Sequence, residues 1–166
     1  MKIDIKNIEQ EDWVVVANIY QMGIETGNAT FEIEIPTWQE WNNAHLQSCR
    51  LAALTENNLV GWAALSAVSD RCVYGGVAEV SVYVEPEYNG KGIGTKLLQE
   101  LIDQSEKEGI WTLQSGIFPE NSASIKLHNK LGFREIGFRE KIGKMNNGIW
   151  RDNIILERRS KIVGIN

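Results

Sequence analysis

The residues from Val80 to Leu98 pass from an alternating stretch through Glu85-Pro86-Glu87-Tyr88 into Asn89-Gly90-Lys91-Gly92-Ile93-Gly94-Thr95, and then into an apolar-periodic run. A strand, a glycine-rich turn and a helix in that order make a phosphate cradle. Glycines tolerate positive φ and close backbone approach, while a helix start offers unpaired N–H groups and the positive end of its dipole. Gly90, Gly92 and Gly94 are the glycines expected to serve in this way, with the helix beginning near Ile93 and Lys91 adding a full positive charge. A flexible strand-to-helix connection is the plain alternative. The spacing is not that of a P-loop, since Gly90-Lys91 is followed by Gly92. Nor is it a dinucleotide fingerprint, which requires a first glycine where Asn89 stands.

Period-two alternation puts Glu79, Ser81 and Tyr83 on one face of the preceding strand and Val80, Val82 and Val84 on the other. A solvated sheet face is one reading of that polar row. A general base is the other, because an ammonium has no lone pair until it loses a proton; Glu79 is the candidate, acting through a water. Arg71 lies just upstream, and its guanidinium fork can pair bidentately with a carboxylate. Further on, Asn121 and Ser124 open a helix that carries His128, where Asn121 can serve as an N-cap. His45, inside an amphipathic stretch, reads as an ordinary boundary residue.

Asn89 to Gly94 resembles the Arg/Gln-x-x-Gly-x-Gly/Ala signature of the GNAT superfamily of N-acetyltransferases, with Asn89 where Arg or Gln is usual. Asn121 to Phe133 resembles that superfamily's Asn-x-x-Ala/Ser-x-x-Leu-Tyr/His-x-x-x-Gly-Phe motif, with every fixed position occupied. Arg71-x-x-Tyr74 followed by Val77-Ala78-Glu79-Val80-Ser81-Val82-Tyr83-Val84 is similar to the subgroup acting on phosphinothricin and methionine sulfoximine or sulfone. Ala29-Thr30-Phe31-Glu32 and Gly148-Ile149-Trp150-Arg151-Asp152 resemble that subgroup too, while Gly75-Gly76 departs from it.

The resemblance implies an acetyl-CoA-dependent N-acetyltransferase working by direct transfer to the amine of a small amino-acid-like acceptor. Acetyl-CoA would lie against Val82, Tyr83, Val84 and the loop from Asn89 through Gly90, Lys91, Gly92, Ile93 and Gly94 to Thr95, with Asn121, Ser124 and His128 on its other side. His128 stands where many members carry a tyrosine that protonates the departing thiolate; it either acts as an acid, or packs or orients the coenzyme arm. Phe31, Glu32, Arg71, Tyr74, Glu79 and Trp150 are the implied acceptor-binding residues. No metal is implied, and a homodimer is. Acetylation of another amine (a polyamine, an antibiotic or a protein N-terminus) and a non-catalytic CoA-binding regulatory module remain open.

The supporting elements read as β-α-α-β-β-β-α-β-α-β-β. Strands are expected at Lys2–Ile8, Leu51–Thr55, Leu59–Val68, Ala78–Glu85, Ile110–Ile117, Phe133–Ile142 and Ile149–Glu157. Helices are expected at Glu11–Met22 (apolar at Val15, Ile19 and Met22), from Thr37-Trp38, from Ile93 to near Gly109, and from Asn121 or Ser122 to Leu131. This is a mixed α/β (α+β) pattern, too irregular for a doubly wound sheet. The resemblance makes it a mostly antiparallel central sheet, splayed around the coenzyme and flanked by about four helices. One domain is expected over residues 1–166, with the coenzyme core near 77–133 and acceptor elements near 26–32, 70–79 and 146–152. Ser160 to Asn166 reads as a loose tail.

A net charge of −5 and a pI of about 5.1 argue against a broad nucleic-acid footprint. Cys49 and Cys72 are too few and too isolated for a disulfide framework or a metal site, and read as reduced residues in a cytoplasm. The acidic N-terminus does not read as a signal peptide, and no apolar run approaches the ~18 residues of a membrane span.

Overall fold

The computed structural model describes residues 1–166. The chain forms strands β1 (Asp4–Asn7), β2 (Leu51–Thr55), β3 (Asn58–Ala67), β4 (Val77–Val84), β5 (Thr112–Ile117), β6 (Arg134–Lys144) and β7 (Trp150–Arg159). Its helices are α1 (Trp13–Glu25), α2 (Trp38–Ala44), α3 (Ile93–Lys107) and α4 (Ser122–Lys130). The strands make one seven-stranded sheet in the order β1-β2-β3-β4-β5-β7-β6. Only β4 and β5 pair in parallel. This is the mixed, mostly antiparallel architecture expected from the sequence.

Local chemistry explains most boundaries. Thr37 and Glu40 form a reciprocal capping box at the start of α2, with Glu40 N donating to Thr37 Oγ1 at 3.2 Å and Thr37 N donating to Glu40 Oε2 at 2.8 Å. Glu56 and Asn57 both take positive φ, 49° and 67°, so a two-residue turn joins β2 to β3 and Asn58 already belongs to the strand. α1 starts later than its periodicity suggests, because Gln10–Asp12 is a 3₁₀ turn held by Glu9 N donating to Asp12 Oδ2 at 2.8 Å. Its buried stripe is Val16 and Ile19; Val15 is exposed. The C-terminal tail is not loose. Arg159 Nη1 donates to Val163 O at 2.9 Å and Nη2 to Gly164 O at 2.6 Å, and the amides of Ile162 and Val163 bond to Ser160 Oγ.

Alternation along β2 and β3 sends Leu51, Ala53, Ala63 and Leu65 into one core and Ala52, Trp62 and Ala64 into another, so the sheet is covered on both faces. α3 seals the first core with Ile93, Leu97, Leu98, Leu101 and Ile102, all essentially inaccessible to solvent. Each contributes about 1.5–3 kcal/mol by burial. The second core is aromatic: Trp13, Trp38, Trp41, Trp62, Tyr20 and Tyr83 stack α1 and α2 onto β3 and β4. Buried Arg50 satisfies the C-terminal end of α2, donating to Asn42 O, His45 O and Leu46 O.

One irregularity in the sheet matters for function. β4 and β5 pair only at Val77–Thr112, Ala78–Leu113 and Glu79–Gln114, although β4 continues to Val84 and β5 to Ile117. Beyond Glu79 the strands part, and the β4 backbone facing the gap has no strand partner.

Candidate active site

The gap is a wedge, and two cavities meet in it. One, of about 470 Å³, is lined by Val82 and Val84 of β4, by Tyr88, Asn89, Gly90, Gly92, Ile93, Gly94 and Thr95, and by Asn121, Ser124 and Leu127 across from them. The other, of about 330 Å³, holds Glu79 and Tyr83 of β4, Phe31 and Glu32, Gln114 of β5, His128 of α4, and Arg139 and Asn153 of the last two strands. Val82, Asn121 and Ser124 line both.

The first cavity has the form of an anion cradle. Gly90 and Gly92 have φ of +75° and +85°, a backbone that L side chains rarely adopt, and the space at their Cα atoms is open. The first bond entering α3 runs from Lys96 N to Gly92 O at 3.0 Å, so helix geometry leaves the amides of Ile93, Gly94 and Thr95 facing out at its positive end. Gly94 differs from the expectation: it is helical, and its missing side chain makes room for Leu127, whose Cδ2 would lie 3.2 Å from a Cβ there. Lys91 does not line the cavity; its ammonium sits 4.9 Å from the Tyr88 ring centroid. Opposite, Asn121 caps α4, its Oδ1 accepting from Ser124 N at 3.3 Å while its Nδ2 donates to Asn28 O at 3.3 Å. Open amides at the positive end of a helix are the donors that an anionic group such as a phosphate would use.

The second cavity carries the acid–base groups. Glu79 is exposed at the mouth of the wedge, at the last paired position of β4. His128 is buried and packs edge-on to Phe133 at 4.9 Å. Its Nδ1 lies 2.7 Å from Ser124 O. A carbonyl can only accept, so the proton is on Nδ1 and Nε2 carries a lone pair; that Nε2 is buried with no protein partner. Burial pushes the His128 pKa down, against the backbone hydrogen bond to Ser124, and keeps the ring neutral near pH 7. Tyr83 faces this cavity and not the loop, stacked 4.8 Å from Trp62 and 4.9 Å from Tyr20. Burial, then the neighbouring Tyr20, raises its phenol pKa far above the ordinary value, so it stays protonated.

The segment bearing Phe31 and Glu32 is riveted to the far end of the sheet by a residue that periodicity did not single out. Arg151 of β7 donates to Gly27 O at 2.6 Å, Asn28 Oδ1 at 2.8 Å and Glu120 Oε2 at 3.1 Å, with its guanidinium 4.1 Å from the Phe118 ring centroid. Phe31 then meets Phe118 edge-on at 4.8 Å. Its partners lie far away in sequence, so no local signal announces Arg151. Gln114, Arg139 and Asn153 escape sequence reasoning for the same reason.

Three expected acceptor residues are not brought to the cavity. Arg71 and Tyr74 lie on an exposed 3₁₀ turn, Cys72–Tyr74 and its cap, where the Arg71 guanidinium covers the Tyr74 ring at 5.6 Å. That turn precedes the paired start of β4, whereas the cavity opens beyond Glu79. Trp150, 54% exposed, begins β7 and stands under the Lys144 ammonium. No group of three or more His, Cys, Asp and Glu side chains is placed to hold a metal, and no helix is long and apolar enough to cross a membrane.

Comparison with known proteins gives the family and the fold. The acetyltransferase (GNAT) family profile matches residues 4–133. The chain is 35% identical over 143 residues to YwnH of Bacillus subtilis (strain 168), covering 83% of this chain and 88% of that one. It is 43% identical over 74 residues to the L-methionine sulfoximine/L-methionine sulfone acetyltransferase of Salmonella typhimurium, covering 45% of this chain and 43% of that one. Among solved structures, a GNAT superfamily phosphinothricin acetyltransferase from Sinorhizobium meliloti in complex with AcCoA superposes with a TM-score of 0.89. Identity there is 28%, over 100% of this chain and 92% of that one.

Proposed function

The chain belongs to the acetyltransferase (GNAT) family as an acetyl-CoA-dependent N-acetyltransferase, and we propose that it acetylates the primary amine of a small amino-acid-like acceptor of the phosphinothricin and methionine sulfoximine or sulfone type. The observation that carries this reading is the pair of cavities joined at Val82, Asn121 and Ser124, one cradle-shaped and the other holding Glu79 and His128. The first takes the coenzyme along the Asn89–Thr95 loop. The second takes the acceptor.

Acetyl-CoA supplies a carbonyl carbon activated as a thioester, which the amine attacks with loss of the thiolate. Glu79 removes the proton from the incoming ammonium through a water and so exposes the nitrogen lone pair. The β4 amides that face the gap past Glu79 steady the negative charge developing on the carbonyl oxygen. As found, His128 has no proton on Nε2 to give. It therefore acts first as an acceptor, taking the surplus proton of the nitrogen as the new C–N bond forms, and can return it to sulfur. A thiolate whose pKa is about 8.5 needs little more help to leave.

The test follows free thiol release from acetyl-CoA with phosphinothricin, methionine sulfoximine, methionine sulfone and simple amines. Turnover with the amino-acid acceptors and little with the simple amines is the expected result; coenzyme binding without thiol release from any of the amino-acid acceptors would refute this acceptor class.

The same reading includes a homodimer in the cytoplasm. β6 is a long edge strand, exposed along most of its length, and with the start of β7 it carries exposed Ile136, Phe138, Ile142, Ile149 and Trp150. An unpaired apolar edge of that kind calls for a partner, and a second copy of the chain fits. Sedimentation should give twice the chain mass, and Phe138→Asp should lower it. The thioester donor and the two free cysteines suit a reducing compartment.

A further inference from the structure

We propose that Arg139 is the carboxylate anchor of the acceptor cavity, the role that the sequence pattern suggested for Arg71. The assignment rests on the amino-acid-acceptor reading above. The chain has seven arginines. Arg50, Arg134, Arg151, Arg158 and Arg159 are engaged with protein acceptors. Arg71 covers Tyr74 outside the cavity. Arg139 alone lines the cavity and makes no ion pair or side-chain hydrogen bond, and no lysine lines it. His128 is neutral there, so Arg139 is the only positive charge in a chamber that also holds Glu79 and Glu32. Two carboxylates and one free guanidinium are the complement of a zwitterion: its ammonium faces the base and its carboxylate the fork.

Backbone geometry supports the placement. Ile136 and Phe138 alternate with Gly137 and Arg139 along β6, so the apolar pair faces away while Arg139 faces the cavity. The register breaks between Arg139 and Gly143, where Lys141 takes φ of 47° and its amide donates to Asp152 Oδ1 at 2.7 Å. A bulge beside a cavity re-aims the side chains next to it. Across the ladder from Arg139 stands Asn153, whose buried Oδ1 has no partner and which lines the same cavity. A donor fork and an orphan acceptor thus sit on adjacent strands, matched to the carboxylate and the amine of one α-amino acid. Leaving a buried acceptor unpaired is costly, which is the mark of an atom reserved for a ligand.

The experiment compares L-methionine sulfone with its α-carboxamide, which keeps the amine and the side chain but loses the charge. Arg139→Ala should lower kcat/KM for the acid about 10- to 30-fold, mainly through KM. This is the lower end for a charge-assisted hydrogen bond, because Arg139 is solvent-exposed. The carboxamide should change less than about 3-fold, a split that a merely structural residue would not give. Arg139→Lys should recover part of the loss, and acetyl-CoA affinity by calorimetry should match the wild type. Equal losses for both acceptors, no loss for either, or a selective loss in Arg71→Ala would overturn the assignment while leaving the acceptor class standing. A wild type that turns over simple amines but neither of these compounds would overturn the acceptor class, and the Arg139 anchor with it.

Discussion

Replacing Gly92 by alanine tests the coenzyme cradle without adding a functional group. Gly92 is the N-cap of α3 at φ 85° and ψ 3°, and a Cβ built there meets nothing within 4 Å. The substitution therefore causes no clash, and its cost is the left-handed backbone alone, about 1–2 kcal/mol for an L residue. That strain has two outlets. If the loop keeps its shape, the apoprotein loses about 1–2 kcal/mol of unfolding free energy and binds acetyl-CoA as before. If the loop relaxes instead, apo stability recovers, but the strain must be restored on binding, and affinity falls about 5- to 30-fold at ~1.4 kcal/mol per decade. The two losses are complementary and together amount to the same strain. Urea unfolding of the apoprotein and calorimetry with acetyl-CoA measure them separately. Gly94→Ala is the contrast, since that position is helical and a Cβ there would meet Leu127 Cδ2 at 3.2 Å and Val84 Cγ2 at 3.8 Å, both side chains. If Gly92→Ala changes neither stability nor affinity, the left-handed turn is not what shapes the cradle, and the reasoning fails.

Glu79→Gln should lower kcat about 10²–10⁴-fold at neutral pH, with coenzyme affinity unchanged, and the deficit should shrink as rising pH deprotonates the amine without help; a loss of only a few-fold would return the proton to bulk water. Arg151→Ala should free the segment bearing Phe31 and Glu32, raising the acceptor KM more than it lowers kcat, and limited proteolysis should then cut near Gly27 and Asn28; unchanged acceptor kinetics would deny the rivet its role. The two histidines give stability a pH dependence whose sign is fixed. Burial lowers the pKa of both His45 and His128, so the unfolded chain takes up protons first as the pH falls. Their contribution is complete above about pH 6.5, the unfolded value, and is lost below it as the pH falls toward the folded values, at no more than about 1.4 kcal/mol per pH unit for each. Urea midpoints at pH 7.5 and 5.5 check this, and a His45→Asn/His128→Asn variant should flatten the slope; an unchanged slope would assign it to the carboxylates.

Much of this was legible because short-range chemistry wrote it. The 3.6 period from Ile93 to Ile102, the helix start at Thr37-Trp38 and the glycines before α3 are all contained within a few residues, and each appears where the sequence puts it. Period-two reasoning likewise separated Tyr83 from Val84, which open into different cavities, while Val82 lies where the two cavities join and lines both. Val15 failed because Ile19 shares a helix face equally well with Val15, four residues back, or Val16, three back, and packing against Ala52, Trp62 and Ala64 of the sheet selects Val16. The tail failed because nothing local tells that Arg159 will fold back on Val163 and Gly164. Arg71 is the instructive case. Its motif places it one turn before β4, close to Glu79 in sequence, yet the chamber opens on the opposite side of Glu79 and is walled by β6 and β7. Which strands wall a cavity is a matter of sheet order, and no window of residues contains that.

The single parallel pair explains why the parts of the candidate site converge. In an antiparallel pair the ends of two consecutive strands lie on opposite sides of the sheet, so a loop after one cannot meet a helix after the other. β4 and β5 run the same way because α3 carries the chain back between them. The loop that follows β4 and the helix that follows β5 therefore both leave from the same edge, placing Gly90–Thr95 opposite Asn121, Ser124 and His128. Ligands of α/β sheets settle at the carboxyl ends of parallel strands for this reason. Here the pairing also stops at Glu79, so the gap opens toward those ends and exposes β4 amides to whatever enters. A ladder continued in the same register to the end of β5 would satisfy those amides and close the passage at Val82, where the two cavities join. Hydrogen bonds the sheet leaves unmade thus become the polar floor of the site, and the antiparallel β7–β6 pair beyond β5 brings Asn153 and Arg139 to its far wall.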